Sequence, residues 1–180
     1  MNTDMHTTLD AGRQASVVHN ASPVDLVRRA IALCGRMPHT FIALLARFSI
    51  AAIFWQSGQT KIEGLAIDIV SGEFTLGIPR LSDNAVFLFK EEYQLPLLPP
   101  ELGATMAALG EHILPLFILL GLATRLSALG LLGMTMVIQL FVYPDAYATH
   151  GTWASVLLYL MAHGPGQLSI DAWIAKRHPA

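Results

Sequence analysis

Two charged side chains interrupt the apolar stretches of this 180-residue sequence: Arg47 within FIALLARFSIAAIFWQ and Glu111 within ELGATMAALGEHILPLFILLG. A charge at the centre of a membrane span costs ~2.5–3.5 kcal/mol on insertion scales, so each needs a partner or a purpose. Arg47 lies about 7 residues into its segment and Glu111 about 10 from the end of its own, roughly 10–15 Å deep at 1.5 Å per residue. The two are expected to meet across adjacent antiparallel helices. Two uses of such a pair stay open. It either locks the bundle as an ion pair, or it lines a polar pocket for a quinone, proton or anion. In the second case Arg47 stabilises a reduced quinone oxygen and Glu111 relays a proton.

Pro115 sharpens that region, because a proline has no N–H to give the carbonyl four residues back, and that residue is Glu111. His112 follows Glu111, about 100° round a helix, and completes the candidate catalytic set with Glu111 and Arg47. Lys61, Gln139 and His163 are candidate ligand-binding residues. Gln139, an amide inside a span, is expected to hydrogen-bond across helices. His112 and His163 fall on parallel spans, yet no spacing selects a bis-histidine haem, and a haem is not expected. No HxxxH, ExxH or cysteine cluster supports a metal centre. The single cysteine, Cys34, excludes an intrachain disulfide, a CxxC pair and CxxCH haem attachment.

The elements that position these residues are membrane spans. Apolar residues make up 53% of the chain and charged ones 13%, against about 25% charged in soluble domains. Mean hydropathy is +0.50. No basic stripe accompanies the net charge of −2, so nucleic-acid binding is not expected. The fold class read from these patterns is an all-α, four-helix transmembrane bundle with an N-terminal interfacial helix and a discontinuous last span. Spans are expected at about Thr40–Ser57, Glu101–Gly121, Leu126–Tyr143 and Thr152–His163. The last is short, breaks at Gly164-Pro165-Gly166 and resumes as a helix capped by Ser169, with Asp171 at its positive end. The segment Gly58–Pro100 is expected to hold short helices lying on the bilayer. Trp55, Tyr143, Tyr147 and Trp153 fit an aromatic belt, and Gly103, Ala107, Gly110, Gly130 and Gly133 permit close helix contact.

Three regions follow: a tail and amphipathic surface helix over 1–37, the four-span domain over 38–175, and a short cytoplasmic end over 176–180. In the helix starting near Ser22, Arg28, Arg29 and Arg36 oppose an apolar face. Lys and Arg outside the spans divide seven to three in favour of the side bearing both termini, which places both termini in the cytoplasm. The polar start Met1–Ala21 lacks the pattern of a signal peptide and reads as a tail.

In its order of features the chain resembles the DoxX family of small four-helix bacterial membrane proteins. The likeness rests on Arg47 followed by Gly58 and Lys61, on Glu111 leading into GLATR ending at Arg125, and on GPGQLSIDAW from Gly164 to Trp173. It spans about residues 38 to 175, and the closing motif is its most specific part. The resemblance implies an inner-membrane accessory subunit of a redox system, since the family is named for likeness to the membrane subunit of a thiosulfate:quinone oxidoreductase. It implies a partner redox or modifying protein, and any electron transfer then uses a bound quinone or a cofactor on that partner; a homo-oligomer is also compatible. The chain carries no flavin or nucleotide fingerprint. The alternative is a membrane docking module in which the Arg47–Glu111 pair is purely structural. A transporter is disfavoured because no inverted repeat is visible.

Overall fold

A computed structural model describes residues 22–68 and 71–178. The tail expected over Met1–Ala21 lies outside the described residues. The first helix, α1 (Pro23–Cys34), belongs to a unit separate from the rest. Its start is set by Ser22, whose Oγ accepts from the Val24 N–H at 3.3 Å, by Pro23 in the first turn and by Asp25 at the positive end. It buries none of its residues, and Val24, Val27 and Ile31 are all exposed.

The second unit begins with α2 (His39–Gln59). Two small antiparallel pairs follow, β1 (Ile62–Glu63) with β4 (Arg80–Leu81) and β2 (Ala66–Asp68) with β3 (Glu73–Thr75). Ile62 stands opposite Leu81, and Ile67 opposite Phe74. Between the pairs, Gly64 has φ +86° and a Cβ there would lie 2.6 Å from the Ile78 carbonyl oxygen, so only glycine fits this crossing. A short α3 (Asp83–Leu88) runs into a π-helical turn, Phe89–Tyr93. The surface helices expected between Gly58 and Pro100 are thus partly replaced by strands.

Four helices form the body: α2, α4 (Pro100–Leu120), α5 (Thr124–Val137, continued by a π-helical turn to Val142) and α6 (Tyr147–His163). They pack in a ring, α2 on α4, α4 on α5, α5 on α6 and α6 on α2. Ala43, Ile50, Phe54, Ile118, Leu131 and Leu157 fill the centre. Leu45 and Phe48 on α2, Leu109 and Ile113 on α4 and Leu129 on α5 stay exposed. A continuous apolar exterior of this kind is what lipid covers. Three helical segments, His39–Gln59, Pro100–Leu120 and Thr124–Val142, are long and apolar enough to cross a membrane.

The last helix departs from expectation. It begins at Tyr147 rather than Thr152, because the polar stretch YATHG winds into its first turns. Its 17 residues reach about 25 Å, close to a hydrocarbon core. The break at Gly164, φ +78°, therefore falls at the end of the helix, and α7 (Ile170–Arg177) packs back on the α4–α5 turn through the Asp171 N–H, which donates to the Gly121 carbonyl at 2.9 Å. Ser169 caps α7 as expected, accepting from the Ala172 N–H at 3.1 Å.

Candidate functional site

Arg47 and Glu111 do not meet. α2 and α4 run antiparallel but staggered, so that Gly58 lies against Glu111 and His112 while Arg47 lies against Gly121. Ten residues of α4 separate the two levels, about 15 Å. Counting depth from each helix end assumes that the ends are level, and here they are not. Arg47, 2% exposed, spends its guanidinium on main-chain carbonyls instead. Nε donates to Ile118 at 2.8 Å, Nη1 to Leu168 at 2.7 Å and Pro165 at 3.2 Å, and Nη2 to Leu119.

Two of these acceptors, Ile118 and Leu119, lie at the end of α4. The last carbonyls of α4 have no helical partner. Gly121, φ +68°, closes the helix in a Schellman turn, with its own N–H on Ile118 and the Leu122 N–H on Phe117. Arg47 supplies further donors and a positive charge at the negative end of the α4 dipole. Asp171 completes the arrangement: its two oxygens accept from the Ala123 and Thr124 N–H groups at 2.7 and 2.9 Å, at the start of α5. The motifs around Gly121–Arg125 and Gly164–Asp171 are therefore two sides of one lock closed by Arg47. Asp171→Asn keeps one acceptor but loses the charge, and is expected to cost about 1–2 kcal/mol, read as a drop of several degrees in thermal midpoint.

Glu111 pairs with Lys61, 2.7 Å from Oε2 to Nζ, with side-chain exposures of 3% and 12%. Lys61 also donates to the Ser57 hydroxyl at 3.1 Å and the Ser57 carbonyl at 3.2 Å. The lysine comes just after α2, so its chain reaches back along the helix end to a carboxylate on α4. His112 points to different neighbours. Its Nδ1–H donates to Ala108 at 2.6 Å, and its Nε2 accepts from Gln59 at 2.8 Å. Gln59 Oε1 accepts from the Ile67 N–H at 2.8 Å, which fixes the amide orientation because that N–H can only donate. Trp55 donates to the Ile67 carbonyl at 3.0 Å and packs edge-on against His112. Strand β2 is thus fastened to the bundle helices through Trp55 and Gln59.

The pair lies at one wall of a cavity of about 760 Å³ between α4 and α5, roofed by the Phe89–Leu98 segment. Met106, Gly110, Leu114, Gly133, Phe141 and Trp153 contribute to its largely apolar lining. Two of the glycines read as contact points do serve that purpose: a Cβ at Gly130 would meet Leu114 and one at Gly110 would meet Met134. Gly133 differs, with nothing within 4 Å of an added Cβ, and opens onto the cavity. At the cavity mouth the Tyr143 hydroxyl donates to Glu92 at 2.9 Å, and Tyr93 packs edge-on against Tyr143. Hydrogen bonding with Tyr93, burial and the Glu92 carboxylate hold the Tyr143 phenol above its ordinary pKa.

Gln139 behaves as expected, its Oε1 accepting across helices from the His150 Nδ1–H at 2.7 Å. His163 lies at the other end of the bundle, stacked on Tyr159 and 5.9 Å from His39 between ring centroids. His112 neighbours Gly58 and His163 neighbours His39, levels about 28 Å apart on α2. They cannot share a haem. Arg125 reaches the Ala162 carbonyl at 3.5 Å, while Pro115 is buried within α4. Among the described residues no group of three or more His, Cys, Asp or Glu side chains is placed to hold a metal ion. Ser57 is a site residue that patterning in the sequence misses; Gln59, Tyr143 and His150 read there as part of a polar set toward the outer face with no assigned chemistry, because each lies near a helix end where polar residues are ordinary.

Comparison with known proteins agrees with this architecture. An uncharacterised protein of Haemophilus influenzae is 27% identical over 144 residues, covering 76% of this chain and 85% of its own length. No solved structure gives a significant match. The DoxX family model matches residues 42–144, more than half of the chain, including Arg47, Lys61 and Glu111. The chain belongs to the DoxX family.

Proposed function

We propose that the protein is an inner-membrane subunit of a quinone-linked redox system, with both termini cytoplasmic, and that a lipophilic carbonyl-bearing head group binds in the α4–α5 cavity against Lys61 and Glu111. One observation carries this reading: a buried acid–base pair faces a membrane-level apolar cavity of about 760 Å³. Desolvating two ions costs several kcal/mol each, and apolar residues of the same volume often serve stability as well or better. The pair is therefore better suited to chemistry than to holding the fold. Lys61 donates to a quinone oxygen and stabilises the negative charge that develops as electrons arrive from a partner redox protein. Glu111 exchanges the proton. The role first considered for Arg47 passes to Lys61, because the guanidinium is already committed to four carbonyls.

Purification in mild detergent, solvent extraction and absorbance spectroscopy test the reading directly. A quinone is expected near one per chain, and Glu111→Gln is expected to leave the protein folded while lowering quinone turnover with its donor at least tenfold. Absence of quinone from the extract together with no binding of added ubiquinone or menaquinone would remove it. Gly133→Leu provides a second check. It gains helix propensity of about 1 kcal/mol and fills space rather than colliding, so it is expected to melt at or above the wild-type temperature while carrying less quinone.

A second reading, a docking module for a partner protein, draws support from the exposed Phe74, Leu76 and Ile78 around the β2–β3 pair. Replacing all three by serine is then expected to abolish co-purification of the partner without changing quinone content.

A further inference from the structure

The end of the bundle away from the Lys61–Glu111 pair holds a second cleft, of about 490 Å³, lined by His39, Thr124, Arg125, His163 and the Gly164–Gln167 turn. We propose that this cleft binds a phosphate group, with Arg125 and the Thr124 hydroxyl as its principal donors. The chemistry is common to a phospholipid headgroup and to free phosphate.

Arg125 is underused for a cation in this position. Among the described residues its hydrogen bonding is confined to one long contact, 3.5 Å to the Ala162 carbonyl, out of five available N–H donors. Thr124 gives the independent observation. It is fully buried at the wall of the cleft, and its Oγ1 has no hydrogen-bond partner among the described residues. A buried hydroxyl left in that state is costly, and an acceptor in the cleft relieves it. Both residues stand in the first turn of α5, a helix of 14 residues whose dipole places partial positive charge here. The one carboxylate in the lining, Asp171, is compensated: its oxygens are held by the Ala123 and Thr124 N–H groups, and its charge faces Arg47. His39 and His163 each commit Nδ1 to Tyr159, to its hydroxyl at 2.8 Å and its carbonyl at 3.2 Å. Both rings belong to the lining of the cleft.

A phosphate suits this set better than an apolar ligand, because a planar guanidinium and a hydroxyl match its several acceptor oxygens. The position suits it also. The cleft opens where α2 and α5 begin and α6 ends, at the level where basic pockets between membrane helices meet lipid headgroups.

The test uses the full-length protein in detergent with two probes, inorganic phosphate and dioctanoyl phosphatidylglycerol, read by isothermal calorimetry and native mass spectrometry. At least one probe is expected to bind saturably, one per chain. Arg125→Gln is expected to weaken it at least tenfold, the loss of a charge-assisted bond. Thr124→Val, which keeps the side-chain shape, is expected to weaken it severalfold without lowering the thermal midpoint of the free protein. Binding of phosphate identifies a free anion as ligand, and binding of the lipid alone identifies a headgroup. If neither probe saturates, or if both variants bind like the wild type, the proposal is overturned. The outcome is independent of any quinone at the Lys61–Glu111 pair.

Discussion

Arg47→Leu is expected to lower the thermal midpoint of the detergent-purified protein by 10 °C or more. The change strips donors from four carbonyls drawn from two distant stretches, Ile118 and Leu119 at the end of α4 and Pro165 and Leu168 before α7. Ile118 keeps the Gly121 N–H, and the three others lose the donor given to them here; each carbonyl left without a partner out of reach of water costs on the order of 1–3 kcal/mol. Partial relaxation brings the sum to about 3–5 kcal/mol, in line with other removals of one partner from a buried charged network. Lysine does not rescue, because a single ammonium cannot span acceptors that a planar fork reaches on both edges. The Asp171 variant provides the control. Arg47 and Asp171 act on one lock, so their effects should fall short of additive in a double-mutant cycle. A midpoint for Arg47→Leu within 2 °C of the wild type would show that the lock holds nothing together.

Lys61→Met is expected to have the largest effect at the cavity. It leaves Glu111 buried without its counter-ion, and it removes the donor aimed at a bound carbonyl. Quinone affinity is expected to fall at least a hundredfold, and stability by about 3–5 kcal/mol. The double variant Lys61→Met with Glu111→Leu separates the two losses. Without a stranded charge it is expected to recover most of the stability, since an apolar replacement of a buried pair is often neutral or better. It should remain unable to bind quinone. Full binding by the double variant would mean that the cavity recognises the ligand through its apolar walls alone.

Much of the body was legible in the sequence because the lipid environment leaves so few solutions. Segments rich in Leu, Ile and Ala with isolated charges must be helices, and three of the four spans were placed within about two residues of their observed ends. The same scarcity of charge made Arg47 and Glu111 conspicuous. Their pairing was not legible, because it depends on the axial offset of α2 and α4, which hydropathy does not encode. Lys61 was singled out as a ligand residue, yet its bond to Glu111 needed the turn after α2 to fold back. The strands escaped because runs of two or three residues, Ile62–Glu63 or Ala66–Asp68, are too short to show alternation. Asp171 reads as a local cap for α7. That it also receives the first N–H groups of α5, 48 residues earlier, is a property of tertiary packing.

The lock around Arg47 also sets the order in which the molecule can be completed. When α2 enters the bilayer its guanidinium has no acceptors, for the first two arrive with the end of α4 and the rest only with the stretch from Pro165 to Leu168. Until the 165–168 stretch follows, a nascent chain holds an incompletely satisfied cation. A chain stopped at His163 would possess every long helix and still lack two of the four carbonyls. The first span is thus completed only by a stretch that follows it by more than a hundred residues.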